Sequence, residues 1–254
     1  MEDTNYNLNE IMTVEGYPRS SNYEPMWVLE NQMGPNVLWL TESLAGVMDL
    51  WPGMRILDMG CGRAISSIFL AKEFGVQIWA TDLWITATDN WKRIRAAGVE
   101  DRVFPINAEA HSLPFADEFF DAAVSIDAYH YFGTDDRYLG SYFEKLIKHD
   151  GQIGIVVPGL IEEFKTGVPD YLKPFWNWEF ASFHSPTWWK DHFEKSGKLN
   201  VEHASMLPEG WRLWLKWEEI RRQIQFPYDE DEASLLRVDN GRNFGFTRLV
   251  ASRK

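Results

Sequence analysis

The sequence predicts an α/β protein in which helices cover both faces of a mostly parallel, doubly wound sheet. Two short apolar runs end at Asp58 and Asp82, and a glycine-containing turn and a segment of helical periodicity lie between them. This order is typical of a βαβ unit. Further strands are predicted within 101–115, 119–127 and 152–158, so the central part of the chain is predicted to form one α/β domain.

The spacing of apolar residues predicts helices on both sides of these strands. The predicted helices cover 36–50, 64–74, 86–97 and 135–148. The last of them alternates charged and apolar residues, which is typical of a surface helix. Ser185-Pro186 is a helix-start signal, because serine caps helix N-termini and proline fits the first helical position.

The turn after the first strand contains Gly60 and Gly62, which allow a tight turn and a close approach to a ligand. Ile65 stands where a dinucleotide fingerprint has its third glycine, and there is no phosphate-loop Lys-Ser or Lys-Thr pair. The turn therefore suits a nucleoside better than a pyrophosphate. Asp58 suits a cationic amino group, and Asp82 has the spacing of an acid that meets a ribose hydroxyl. S-adenosylmethionine meets these demands, although an ordinary βα turn with two glycines is the simpler alternative.

These motifs, taken in order over roughly 50–160, resemble the class I S-adenosylmethionine-dependent methyltransferases. The resemblance is to the small-molecule branch, which includes ubiquinone/menaquinone methylases, glycine-type N-methyltransferases and relatives of cyclopropane-fatty-acid synthase. It implies a Rossmann-like sheet of seven strands, mostly parallel, with the last strand antiparallel. The sixth strand is then expected at 199–207, a helix at about 211–225 and the last strand at 246–252. The acidic segment 229–232 is expected to be a solvated loop.

The resemblance also implies the residues that bind the cofactor S-adenosylmethionine. In chain order the expected set is Asp58, Gly60, Cys61, Gly62, Asp82, Leu83, Trp84, Glu109, Ala110 and Asp127. Ala64 replaces the third glycine of the family motif, and Glu109 replaces the commoner Asp beside adenine. Trp84 is expected either to flank adenine or to pack on the neighbouring helix. In an open α/β sheet, ligands bind at the carboxyl ends of the strands, where all of these residues fall.

Composition restricts the partners. The chain has 254 residues and a net charge of −13, which disfavours nucleic acid and an anionic membrane surface. Its single cysteine rules out an internal disulfide and argues against a thiolate metal site, and no metal is expected. With no secretory signal and no apolar run of transmembrane length, a cytoplasmic location without stable membrane insertion is expected.

The chain is expected to divide into a poorly regular N-terminal arm, 1–35, and a methyltransferase domain, 36–254, with an aromatic-rich lid inserted at 159–198. The expected substrate-contacting residues are aromatic side chains and a histidine of the arm and the lid. They are Tyr17, Tyr23, Trp176, Trp178 and His184. The alternative is that the tryptophans belong to the core or to a homo-oligomer interface, because large aromatic side chains bury much area.

The expected reaction is methyl transfer from S-adenosylmethionine to an N, S or O nucleophile of a small organic acceptor, by in-line displacement. His130 is the expected general base because an unperturbed histidine has a pKa near neutrality, and Tyr131 is the second catalytic candidate. His111 is a weaker candidate, and His203 is expected to be structural. Two alternatives remain: a lipid or quinone methylase acting at a membrane, and a non-catalytic S-adenosylmethionine-binding protein. Cyclopropane-type chemistry is disfavoured, because the acid and tyrosine it needs are not found.

Overall fold

The computed structural model describes residues 7–254. Seven strands form a single sheet in the order β3-β2-β1-β4-β5-β7-β6. The strands are β1 (Arg55–Met59), β2 (Gln77–Asp82), β3 (Val103–Asn107), β4 (Phe120–Ile126), β5 (Ile147–Leu160), β6 (Leu199–Met206) and β7 (Phe244–Arg253). β1 to β5 pair in parallel, whereas β7 is antiparallel to both β5 and β6. The predicted seven-stranded sheet with an antiparallel last strand is confirmed.

Helices connect the strands and cover the sheet. Those of the described residues are α1 (Leu8–Met12), α2 (Pro25–Asn31), α3 (Val37–Ala45), α4 (Ile65–Phe74), α5 (Ala87–Ala97), α6 (Asp136–Ser141), α7 (Pro186–Glu194), α8 (Gly210–Gln223) and α9 (Glu230–Asp239). α3, α4, α5 and α8 fall within or close to the predicted ranges. α7 begins as predicted, and the Ser185 side chain accepts a hydrogen bond from the Trp188 amide.

Two apolar cores lie on opposite faces of the sheet. Successive residues of a strand point to opposite faces, so Ile56 joins the core beneath α3, α4 and α8, while Leu57 joins the core beneath α6 and α7. Both are fully buried. A parallel sheet covered on both faces requires this continuous burial of its central strands.

Three expectations about secondary structure are corrected. The segment 135–148 is not one helix: α6 ends at Ser141, a 3-10 turn covers Phe143–Leu146, and β5 already begins at Ile147. The acidic segment 229–232 is not a solvated loop but the start of α9, where the Asp229 side chain accepts from the Glu232 amide. The arm, expected to be poorly regular, contains α1 and α2. Its first six residues lie outside the described part of the chain.

The aromatic residues of 159–198 divide between the two cores. Phe180 and Phe183 are buried against Phe244 of β7, and the half-buried Trp176 packs on the same group. Trp189 of α7 is fully buried on the other face. Most of these rings therefore attach the segment to the sheet, as the alternative interpretation of the tryptophans anticipated.

Candidate active site

A cavity of about 380 Å³ opens at the carboxyl ends of the parallel strands. Its walls come from the residues that follow β1, β2, β3 and β4, and from the end of the N-terminal arm. The lining residues are Asn31, Met33, Gly34, Pro35, Val37, Met59, Gly60, Cys61, Gly62, Arg63, Ile65, Ser66, Asp82, Leu83, Trp84, Glu109, Ala110, His111, Ile126, Asp127, Ala128, Tyr131 and Phe132. This is the usual ligand position in an open α/β sheet.

The glycine turn after β1 forms the floor of the cavity. Gly60 has φ 76° and Gly62 has φ 52°, backbone conformations that glycine adopts without strain. A Cβ atom at position 60 would collide with the Cβ of Ala128, and one at position 62 would lie 2.9 Å from the Met33 sulfur. Both glycines are therefore needed for the backbone path and for the close approach of its neighbours.

Asp82 fixes the shape of the turn from the end of β2. One carboxylate oxygen accepts from the Gly62 amide at 2.8 Å, and the other accepts from the amides of Trp84 and Ile85 at 2.8 and 2.9 Å. The carboxylate lies in the cavity wall and is almost completely buried. A carboxylate has about four acceptor positions, so one remains for a ribose hydroxyl.

The side of the cavity where the resemblance predicts adenine is formed by residues after β2 and β3. Leu83 and Trp84 are exposed at its rim, with Trp84 70% accessible, while Ala110 is buried. Glu109 accepts from the His111 amide at 2.8 Å, and its other oxygen lies 2.6 Å from His111 Nδ1. These contacts with His111 hold the pKa of Glu109 below its usual value. His111 thus contacts this carboxylate, and a catalytic role of His111 remains a prediction.

Asp58 lies beneath the glycine turn and does not line the cavity. It is fully buried, and the hydroxyls of Ser66 and Ser67 donate to one of its oxygens at 2.6 and 2.7 Å. Burial raises its pKa to about 6. In this position it anchors the start of α4, and a contact with the methionine tail of the cofactor remains a prediction. Cys61 of the same turn lines the cavity and is buried, which raises the pKa of its thiol.

Asp127 and Tyr131 form the part of the cavity that follows β4. Asp127 has φ 55°, and its carboxylate lies directly against Gly34 of the arm. Burial raises the pKa of Asp127 well above its usual value, and the negative charge of Glu232 adds to this effect. Tyr131 is 52% exposed, and burial of part of the ring, with the charge of Asp127, raises the pKa of its hydroxyl.

His130 does not line the cavity. Its side chain is buried, at 2% exposure, and burial lowers its pKa to about 3. The expected pKa near neutrality is therefore wrong, because removing the ring from water disfavours the charged form. The ring lies 4.0 Å from that of Tyr131 and 5.6 Å from that of Phe183, between centroids. His203, expected to be structural, lies in β6 and contacts the Ser205 hydroxyl at 2.8 Å.

The predicted substrate residues also lie outside the cavity wall. Tyr23 donates to Glu73 at 3.1 Å and packs on Trp27 and Phe69, while Tyr17 is half-buried against the same core. Trp178 is 79% exposed. The rings of His184 and Trp188 are stacked with centroids 3.6 Å apart, and Trp176 packs on Phe180. A substrate role for these five residues remains a prediction.

The arm contributes to the cavity through a segment that sequence reasoning did not single out. We call residues 31–35 the strap. Met33 lies over Gly62, and the Trp217 indole of α8 donates to the Gly34 carbonyl at 2.9 Å. The Arg93 guanidinium donates to the Asn31 side chain at 2.9 Å. A Gly-Pro pair such as Gly34-Pro35 is typical of a turn or loop, but no sequence pattern connects it to a tryptophan 183 positions away.

Comparisons with known proteins agree with this geometry. Residues 56–151 match the family model described as a methyltransferase domain. The sterol methyltransferase-like 3 protein of Botryococcus braunii is 28% identical over 249 residues, which cover 90% of this chain and 52% of that protein. This chain thus spans about half the length of that relative.

Solved structures show the same fold at lower identity. A sarcosine dimethylglycine methyltransferase structure from Galdieria sulphuraria has a TM-score of 0.65 at 20% identity, covering 84% of this chain and 83% of that one. Phosphoethanolamine N-methyltransferase 2 of Haemonchus contortus, in complex with S-adenosyl-L-methionine, has a TM-score of 0.69 at 15% identity, covering 97% and 60%.

The sheet order, the glycine turn and the acid after β2 are those expected from the resemblance to class I S-adenosylmethionine-dependent methyltransferases. Residues 56–151 carry a methyltransferase domain, and S-adenosylmethionine is the cofactor that this domain indicates. The glycines that bring the backbone close to the cavity and the free acceptor position of Asp82 fit its adenosine part.

Among residues 7–254, no group of three or more His, Cys, Asp or Glu side chains is arranged to hold a metal ion. No helix in that range has both the length and the apolar character needed to cross a bilayer.

Proposed function

We propose that this protein transfers the methyl group of S-adenosylmethionine to a nitrogen, sulfur or oxygen atom of a small organic acceptor. One observation carries the proposal: a single cavity joins the glycine turn and Asp82 to the open space beside Asp127 and Tyr131. A donor bound at the turn and an acceptor beside Asp127 would share one chamber, as in-line displacement requires.

The demands on the protein are modest. When bound, S-adenosylmethionine supplies a methyl group that its positive sulfur already activates. The protein must orient the acceptor, exclude water and accept a proton where the acceptor carries one. We assign orientation to the residues after β4 and exclusion of water to the strap. Asp127 and Tyr131, and not His130, are the ionisable groups of that region that reach the cavity.

Calorimetry and turnover together test the proposal. S-adenosylhomocysteine is expected to bind the wild type, and Asp82→Ala should weaken binding about tenfold or more, since a charge-assisted hydrogen bond is lost. Incubation with S-adenosylmethionine and a metabolite extract should release S-adenosylhomocysteine. No binding, or equal binding by the variant, contradicts the assignment. Binding without product release in any extract identifies the non-catalytic alternative.

An apolar rim favours a second candidate, a lipid or quinone methylase that works at a membrane. Met33, Leu83, Trp84 and Tyr131 line the cavity and are all exposed. A lipid acceptor predicts activity that depends on vesicles or detergent. Activity on water-soluble acceptors without vesicles would exclude it and agree with a cytoplasmic enzyme, which the net charge of −13 favours.

A further inference from the structure

We propose that the acceptor is an amine with an apolar or aromatic body, and that the Asp127 carboxylate holds its ammonium group inside the cavity. This inference rests on the proposed function and names the substrate class of the same site. It assigns to Asp127 a contact with the acceptor, whereas the sequence implied only a contact with the cofactor.

The first observation is that Asp127 faces the cavity without a cationic partner. Among the described residues, no Lys, Arg or His side chain forms an ion pair with it, and no hydrogen bond reaches its carboxylate. The Gly34 backbone lies against this carboxylate, and a Cβ atom at position 34 would collide with it. A partly buried carboxylate without a cationic partner is stabilised by a bound cation.

The second observation is the sign of the charge around the cavity. Among the described residues that line the cavity, Asp82, Glu109 and Asp127 are acidic. Arg63 is the only Lys or Arg residue among them. The Arg63 guanidinium donates to the Glu30 carbonyl at 2.7 Å. Carboxylate and phosphate acceptors need Arg or Lys groups that converge on the anion, and this wall does not supply them. The negative field instead attracts a cationic acceptor.

The third observation is the rim. The rings of Trp84 and Tyr131 meet edge to face with centroids 6.2 Å apart, and both remain more than half exposed. Leu83 and Met33 continue the same apolar surface. Aromatic faces attract ammonium and N-methylammonium groups, and apolar side chains contact a hydrocarbon body. The rim and the inner carboxylate together match an amine that is charged at one end and apolar at the other.

In the proposed reaction, Asp127 accepts one proton from the acceptor before the methyl group is transferred. An ammonium acceptor gives one proton to the Asp127 carboxylate, which leaves a neutral amine with a free lone pair. The nitrogen lone pair forms the new N–C bond while the C–S bond breaks, and its electron pair stays on sulfur. The products are an N-methylammonium, a neutral thioether and a protonated Asp127, which returns its proton to water when the product leaves.

The product of the reaction tests the substrate class. The wild type is incubated with methyl-labelled S-adenosylmethionine and a metabolite extract, and labelled products are identified by mass spectrometry. A methylated amine supports the inference. A methylated phenol, thiol or carboxylate overturns it while leaving the proposed function intact. No labelled product, although S-adenosylhomocysteine binds, counts against the proposed function itself.

Asp127→Asn tests the residue, because Asn tolerates the left-handed backbone at this position whereas most other residues are strained there. We expect the KM for the amine to rise about tenfold or more, while the Kd of S-adenosylhomocysteine changes less than about twofold. Asp117→Asn, at an exposed position outside the cavity, is the matched control. Equal losses of S-adenosylhomocysteine and amine affinity would mean that Asp127 holds the cofactor's amino group, which overturns the assignment.

Discussion

Asp58 shows how a buried carboxyl couples this fold to pH. Its pKa is about 6 in the folded protein, against 3.8 for an exposed aspartate. Between these two values the folded state holds a proton that the unfolded state has released. The free energy of unfolding therefore falls as pH rises from about 4 to 6, by on the order of 3 kcal/mol, and is constant with respect to this group above and below.

Replacing Asp58 by Asn should remove this dependence. The amide oxygen still accepts from the Ser66 and Ser67 hydroxyls, and no charge is buried. Urea denaturation at pH 4 and pH 7 measures the effect: the variant's free energy of unfolding, relative to wild type, should increase by on the order of 3 kcal/mol between the two. Parallel profiles for the two proteins would show that Asp58 does not titrate in this range.

Sequence reasoning was most successful for residues whose identity is dictated by backbone geometry. Gly60, Gly62 and Asp82 stand where the motif predicted, because the turn permits little else. It was less successful in deciding which of two neighbouring residues lines the cavity. Asp58 precedes the lining residue Met59 and His130 precedes the lining residue Tyr131, yet both are buried away from the cavity. Asp58 and Met59 are neighbours in β1 and face opposite sides of the sheet, whereas His130 and Tyr131 are neighbours in a 3-10 turn, where successive side chains point in different directions. Motif spacing alone did not resolve these differences.

Among the elements, the strap is the part of the arm that bears most directly on function. Its contacts with Trp217 and Arg93 connect α8 and α5 across the cavity. Met33 lies in contact with Gly62 and both line the cavity, so we expect the strap to cover a cofactor bound at the glycine turn. Release of the product thioether would then require the strap to move.

Trp217→Phe tests this role. The variant keeps an aromatic ring at a fully buried position that packs on Trp39 but loses the hydrogen bond to the Gly34 carbonyl. We expect S-adenosylhomocysteine to dissociate about three- to tenfold faster, in line with the roughly 1 kcal/mol of one hydrogen bond, as measured by stopped-flow fluorescence. Trp214→Phe is the matched control, because its indole donates to Glu232 and not to the strap. Equal release rates for wild type and Trp217→Phe would mean that this hydrogen bond does not hold the strap over the cofactor.

One of the helices that the sequence did not predict, α9, carries the usual helix signals. Asp229 caps its first turn, acidic residues fill that turn, and Asn240 ends it in a left-handed conformation. The run of acids at 229–232 was interpreted by charge alone, which is why a loop was expected. Conversely, α6 is shorter than the apolar spacing suggested, because Tyr142 leaves the helical region and Gly140 packs closely on Ser196.

At the scale of the whole molecule, cofactor binding should be visible as thermal stability. A ligand that binds only the folded state at 100 times its Kd adds about 2.7 kcal/mol. For a chain of this size that corresponds to a rise in Tm of roughly 5 to 11 °C. Differential scanning fluorimetry with S-adenosylhomocysteine measures it, and Asp82→Asn should show a clearly smaller rise at the same concentration. A Tm that does not respond in wild type would contradict the cofactor site.

The architecture as a whole was predictable because ordered motifs over a hundred residues specify one family of sheets. The acceptor side was not, because it is assembled from the strap, the residues after β4 and the apolar rim, which are far apart in sequence. Their contact depends on long-range packing such as that between Trp217 and Gly34, which leaves no local pattern.

The position of β7 has a consequence for how the protein is made. Residues 244–253 lie between β5 and β6, so neither of those earlier strands can complete its pairing until β7 has left the ribosome. During synthesis β5 keeps one open edge whose unpaired amides and carbonyls could pair with another nascent chain. The edge of β5 stays unpaired until β7 inserts. Codons that slow translation before residue 244 should therefore favour aggregation over folding.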